Sequence, residues 1–229
     1  MARAEQPLES IKGVSAASGK HRYAGCVPHR YMARVKVVGI GDSTTAGTPG
    51  FLSPLEAPPV GRGDPESQYS YWVARADPKW DVLNRGVNGQ TSGQMLARFQ
   101  ADVVDEAPAV VVVLGGVNDI YGGAGPASVE RNLEAMYALA GRNKIVAIGA
   151  TILPYNTSGR RERAAIRAVN AWVEASCRGT RLFCDTNAAV ADPGDPDRLA
   201  SSPDGLHPDP QGYRKMGEAV AATLERAGF

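Results

Sequence analysis

The sequence is short of several things, and each shortage excludes a class. Its 25 Lys and Arg nearly balance 24 Asp and Glu, leaving a formal net charge of +1. No basic excess is available to neutralise a phosphate backbone or an anionic membrane surface, so no nucleic-acid partner is expected. Long apolar runs are missing too. The strongest, AVVVVL at Ala109–Leu114, falls far below the roughly 20 residues of a membrane-spanning helix, so no membrane span is expected. The three cysteines, Cys26, Cys177 and Cys184, are too few for a disulfide framework, and their odd number leaves at least one free. Cys177 and Cys184 span a helix-to-strand connection. They can pair across it or stand as two small apolar core residues, and the second reading is favoured. Histidine is scarce: of the three, His21 and His29 lie in the first thirty residues, leaving His207 alone in the body of the chain. The stretch MARAEQPLESIKGVSAASGK carries charge but no apolar core, so it does not read as a signal peptide as it stands. The sequence as given points to the cytoplasm ahead of secretion with a signal removed.

What is present is a globular composition, 43% hydrophobic and 21% charged, over 229 residues, which suits one domain with a substantial core. Residues 1–33 show no period and read as an N-terminal extension, with a single domain over 34–229. From Arg34 a rhythm begins. Five short apolar runs read as strands: Arg34–Gly41, Val82–Gly86, Ala109–Gly116, Lys144–Thr151 and Arg181–Thr186. The third is apolar without alternation, as a central parallel strand covered on both faces would be. Between the runs lie helical stripes: Val129, Leu133, Met136 and Ala140; Ile166, Val169 and Val173; Tyr213, Met216, Val220 and Leu224. Strands alternating with helices predict an α/β fold with a parallel sheet wrapped on both faces. In such folds, sites form beyond the carboxyl ends of the strands.

Four stretches at those places carry chemistry. GDSTTAG (Gly41–Gly47) puts Ser43 in a turn among small residues, where it is a nucleophile if a base is near or, with Asp42, only a helix cap. NRGVNGQTSG (Asn84–Gly93) puts Gly89 before a helix start, where its N–H can meet a substrate oxygen or where it is an ordinary turn glycine. LGGVNDIYGG (Leu114–Gly123) puts Asn118 after two glycines, a side-chain donor toward an oxyanion or a turn asparagine. DGLHP sets Asp204 three residues before His207, a spacing at which the carboxylate can hold the imidazole as a base. Each bland reading is acceptable alone. Together the four supply a nucleophile, two donors and an oriented base, a full inventory for acyl transfer.

The blocks GDSTTAG, NGQTS, LGGVND and DGLHPDPQGY, in this order, resemble the four signature blocks of the SGNH (GDSL) hydrolase family, from about Val35 to the C-terminus. The resemblance implies a three-layer α/β/α sandwich around a parallel sheet of about five strands, flavodoxin-like in plan, and a serine esterase that uses no cofactor and no metal. It implies Ser43 as nucleophile, His207 as base, Asp204 as its orienter, and an oxyanion hole of Ser43 N–H, Gly89 N–H and the Asn118 amide. Thr44, where many members carry a bulky aliphatic residue, and GGVND, where many have one residue fewer or a different pair before Asn118, depart from the pattern without removing a catalytic group.

The expected substrate is a small-molecule or glycan ester, with short acyl chains favoured because no broad apolar surface helix is evident. A carbohydrate O-deacetylase with the same triad is the alternative. A non-catalytic ligand-binding α/β domain is the reading from another class, and the complete residue set speaks against it. The segment Gly47–Glu66, with five prolines and four glycines, reads as a long loop next to the nucleophile. In it, Phe51, Leu52 and Leu55 either wall an acyl pocket or form a small core under the loop. Tyr121 and Tyr155 are further rim candidates. Asp192, Asp195 and Asp197 have no spacing that fits a calcium loop and read as a solvated turn. No feature sets an oligomeric state.

Overall fold

The computed structural model describes residues 34–229. The reading of residues 1–33 as an extension, with His21, Cys26 and His29, lies outside the described residues. Five strands form a fully parallel sheet: β1 (Val35–Gly41), β2 (Trp80–Gly86), β3 (Val110–Leu114), β4 (Val146–Ala150) and β5 (Leu182–Cys184). Their order is β2-β1-β3-β4-β5. The chain therefore leaves β1 to one side and returns to the other. Such a switch point opens a crevice beyond the carboxyl ends of β1 and β3.

Helices follow the strands: α1 (Ser43–Ala46), α2 (Tyr69–Ala76), α3 (Ser92–Phe99), α4 (Val117–Tyr121), α5 (Pro126–Arg142), α6 (Arg160–Ser176), α7 (Thr186–Val190) and α8 (Pro210–Arg226). Successive strand residues point to opposite faces, and both faces are covered. Val38, Ile40, Val111 and Val113 pack against Met95 of α3, Leu133 of α5 and Val169 of α6. Val37, Val110, Val112 and Ile148 pack against Val73 of α2, Val190 of α7 and Met216 of α8. The uninterrupted valine run of β3 is thus explained, since both parities are buried. Each such side chain contributes about 1.5–3 kcal/mol through burial. The three stripes read from the sequence are the buried faces of α5, α6 and α8. The result is the three-layer α/β/α architecture.

One local outcome differs from the expectation, and one agrees with the favoured reading. The segment 47–66 is not free of regular structure: Phe51–Leu52 pairs antiparallel with Arg62–Gly63, and Asp64 N–H closes the hairpin on Gly50 O at 2.9 Å. Cys177 and Cys184 are both free. They pack in the two opposite core layers, with the sheet between them, so they do not pair. Among the described residues, no helix is long and apolar enough to cross a membrane.

Candidate active site

The site begins where β1 ends. Asp42 is the N-cap of α1, and its Oδ1 accepts the Thr44 N–H at 3.0 Å. Capping and a presented serine coexist, because the cap is Asp42 and Ser43 is the first helical residue. The turn folds back tightly on the strand: a side chain at Gly41 would place its Cβ 2.5 Å from Leu114 O and 2.0 Å from Thr45 Oγ1. Glycine is required there to let α1 lie against β1 and β3.

The loop before α8 brings the base. Asp204 organises it by accepting the backbone N–H groups of Leu206 at 2.9 Å and His207 at 2.8 Å on Oδ1. Its Oδ2 lies 2.7 Å from His207 Nδ1, and His207 Nε2 lies 2.8 Å from Ser43 Oγ. His207 is only 6% exposed and Ser43 7%. Burial works against the Asp204 charge. The His207 ring and the two backbone donors outweigh it and hold the carboxyl down at about 2. For Asp42 the balance goes the other way: burial, aided by the nearby Asp119 charge, pushes its carboxyl up to about 7 against the Thr44 N–H and hydroxyl and its own backbone N–H.

The Asn118 stretch reaches the same cavity as Ser43 and His207, whereas Gly89 is not among the residues that line it. The Asn118 Nδ2 donates one proton to Gln90 O at 2.9 Å, which leaves its second N–H free to point elsewhere. The residue after it, Asp119, accepts Ser92 N–H and Ser92 Oγ, each at 2.7 Å, and so ties α4 to the start of α3. Gly89 is exposed, with φ +72, and its Cβ direction opens into free space. The loop that carries it is bound to the nucleophile strand by Val87 N–H to Gly41 O at 3.1 Å. The Arg98 guanidinium closes the same junction by donating to Gly41 O and Arg85 O, each at 2.8 Å, and to Gln90 Oε1 at 2.6 Å. Arg98 carries no sequence signature; it stands on a short helix like any surface arginine.

Ser43, Asn118 and His207 line one cavity of about 20 Å³, walled by Val117, Ile152, Leu153 and Leu206. By that measure it holds about one water-sized group. None of the five rim candidates is among its lining residues. Phe51 is buried under the hairpin and Tyr155 in the core, Leu52 and Leu55 are half-buried, and Tyr121 is 69% exposed at the end of α4. The walls formed by Ile152, Leu153 and Leu206 were not singled out from sequence. Ile152 is held firmly, because the Asn170 amide accepts its N–H and donates to its C=O, each at 2.8 Å. A larger cleft of about 350 Å³ lies beyond, between α6 and the hairpin at residues 191–199. There a single Arg167 nitrogen, Nη1, donates to both oxygens of Asp197, and Arg163 faces Asp195 at 3.9 Å, so these carboxylates are engaged by cations of the chain itself.

A hydroxyl bonded to an imidazole whose other nitrogen rests on a carboxylate can lose its proton as it attacks a carbonyl. Comparison with known proteins gives the family. The family model described as GDSL-like Lipase/Acylhydrolase matches residues 40–215. The esterase TesA of Pseudomonas aeruginosa is 37% identical over 92 residues, 36% of this chain, and the matched stretch spans 46% of that relative. Among solved structures, a GDSL-like lipase of Bacteroides thetaiotaomicron is similar with a TM-score of 0.66 and 26% identity, over 84% of this chain and 88% of the other. A catalytic mutant of an acetylxylan esterase of Geobacillus stearothermophilus shares the fold with a TM-score of 0.64 at 23% identity, over 85% and 94%. With a family match that runs through most of its length, the chain belongs to the GDSL-like lipase/acylhydrolase family of ester hydrolases.

Proposed function

We propose that the protein hydrolyses carboxylic esters of short acyl chains, acetyl to butyryl, through Ser43, His207 and Asp204 and an acyl-enzyme intermediate. The observation that carries this reading is the single imidazole placed 2.8 Å from Ser43 Oγ and 2.7 Å from Asp204. His207 takes the hydroxyl proton as Ser43 Oγ attacks. The Ser43 N–H, the Gly89 N–H and the second Asn118 N–H receive the oxyanion. His207, as imidazolium stabilised by Asp204, returns the proton to the leaving alcohol and then activates the water that frees the acid. Every proton moves between Ser43, His207, alcohol and water, so the scheme calls on no cofactor. The small end of that acyl range is supported by the cavity of about 20 Å³ walled by Ile152, Leu153 and Leu206, which has room for little more than one small group. Hydrolysis of p-nitrophenyl acetate that disappears in Ser43→Ala tests the proposal, and turnover that persists in that variant refutes it. A preference for dodecanoyl over acetyl esters would reverse the chain-length part.

Acetylated sugars are the second reading. The exposed Tyr121 ring, three residues after Asn118 and 6.2 Å from the Tyr155 ring, is a flat aromatic surface of the kind that stacks on a sugar. Acetate release from an O-acetylated glycan, weakened in Tyr121→Ala while p-nitrophenyl acetate turnover is kept, distinguishes it from the first.

A further inference from the structure

In the proposed scheme, two oxyanion donors are fixed by their own surroundings. The Ser43 N–H belongs to the α1 turn, and the Asn118 amide is oriented by Gln90 O. Gly89 is different: it sits exposed in the short connection between β2 and α3, with open space beyond its Cα. The groups that hold the preceding residue come from the segment 47–66. Glu56 Oε1 accepts the Asn88 N–H at 2.8 Å, and Glu56 Oε2 accepts the Ser53 N–H at 3.2 Å. Ser53 is fully buried, and its hydroxyl donates to Gly86 O at 2.6 Å, at the end of β2. On the other side of the loop, the Thr48 hydroxyl donates to Asn88 Oδ1. Asn88 is therefore gripped by its backbone and by its side chain, both times by the insert that follows the nucleophile helix. That insert is itself anchored on β2.

We infer that Glu56 is a positioning residue for the Gly89 oxyanion donor, and that the insert 47–66 buttresses the oxyanion loop. The inference rests on the proposed role of Gly89. A carboxylate accepting a backbone N–H makes a charge-assisted bond that fixes a peptide more firmly than water does. Asn88 is exposed, so its N–H can turn to solvent when Glu56 is removed, and the loop then loses direction rather than its fold. The donor matters only once charge has developed on the carbonyl oxygen. The loss therefore falls on kcat and leaves KM in place.

The test compares Glu56→Ala, Glu56→Gln and Thr48→Val on p-nitrophenyl acetate, with the parent and Ser43→Ala alongside. Glu56→Ala is expected to lower kcat about tenfold at a KM within about twofold of the parent, the scale of a misdirected rather than a deleted donor. Glu56→Gln should recover part of the rate, since its amide oxygen can still accept the Asn88 N–H while its NH2 gives up the bond from the Ser53 N–H. Thr48→Val should lower kcat about threefold at unchanged KM. An unchanged kcat in Glu56→Ala and Thr48→Val, or in Thr48→Val alone if Glu56→Ala does not fold, overturns the inference. So does a Glu56→Gln as impaired as Glu56→Ala. A parent without Ser43-dependent turnover would instead refute the proposed function, before the role of Glu56 arises.

Discussion

His207 Nε2 stands 2.8 Å from Ser43 Oγ although 164 residues separate them in the chain. The contact exists because the sheet order puts the end of β1 at a switch point, while the loop before α8 crosses back over it. Neither residue moves alone: Ser43 is set by the Asp42-capped turn and His207 by two hydrogen bonds to Asp204, through its backbone N–H and its Nδ1.

Asn118→Ala tests the oxyanion assignment. Its amide lines the cavity with Ser43 and keeps one N–H unspent after bonding Gln90 O. Loss of roughly two to three decades in kcat is expected, the usual scale for one such donor. A folded variant that loses less than about threefold would remove Asn118 from the mechanism.

Asp204→Ala tests the orienting carboxylate in two ways. Without it His207 has no partner on Nδ1, and kcat should fall by about 10³–10⁴. The folded carboxyl is held at about 2, below its ordinary 3.8. Its ion therefore adds stability above the ordinary value, and that contribution is lost as pH falls through the folded one. The melting-temperature advantage of the parent over the variant should be present at pH 6 and shrink steadily below about pH 4. An advantage that stays constant from pH 6 to 2 would contradict the depressed carboxyl.

Asp42 predicts the opposite sign. Burial raises its carboxyl from 3.8 to about 7, so the folded state holds a proton that the unfolded state has released over that interval. Its contribution is full below pH 3.8 and is lost as pH rises to about 7. Asp42→Asn keeps an oxygen for the Thr44 N–H and cannot ionise. Thermal melts should show the Asp42→Asn variant gaining on the parent between pH 4 and 7 and holding that gain above it. Parallel melting curves for the two proteins across that range would show that Asp42 titrates normally.

Ile152→Ala tests the acyl wall. Removing this clamped, buried side chain should open the cavity and shift preference from acetyl toward hexanoyl p-nitrophenyl esters. The cost in stability should be about 2–5 kcal/mol, as for other buried Ile truncations. A stable variant with an unaltered chain-length profile would place the acyl group elsewhere.

Much of this was legible in the sequence, for physical reasons. The valine run of β3 and the stripes of α5, α6 and α8 are periodic, because one or both faces are buried over several turns. Ser43, Gly89, Asn118 and the Asp204–His207 pair stood out because they follow strand ends or a tight loop in unusual residue contexts. The cavity wall did not. Residues 151–155 are irregular, so no period tells that Ile152 and Leu153 face the cavity while Tyr155 turns into the core. Phe51 gave no sign of its direction either, since only the pairing of Phe51–Leu52 with Arg62–Gly63 fixes it. Glu56 and Arg98 act through backbone groups distant in sequence, a kind of contact that composition and spacing do not encode.

The central claim is that Ser43 attacks the ester carbonyl with His207 as its base. Labelling with a serine-reactive fluorophosphonate, followed by peptide mass mapping, tests it most directly. One stoichiometric adduct on Ser43 is expected, strongly slowed in His207→Ala and absent in Ser43→Ala. An adduct that persists undiminished in Ser43→Ala, or forms at the parent rate in His207→Ala, would contradict it.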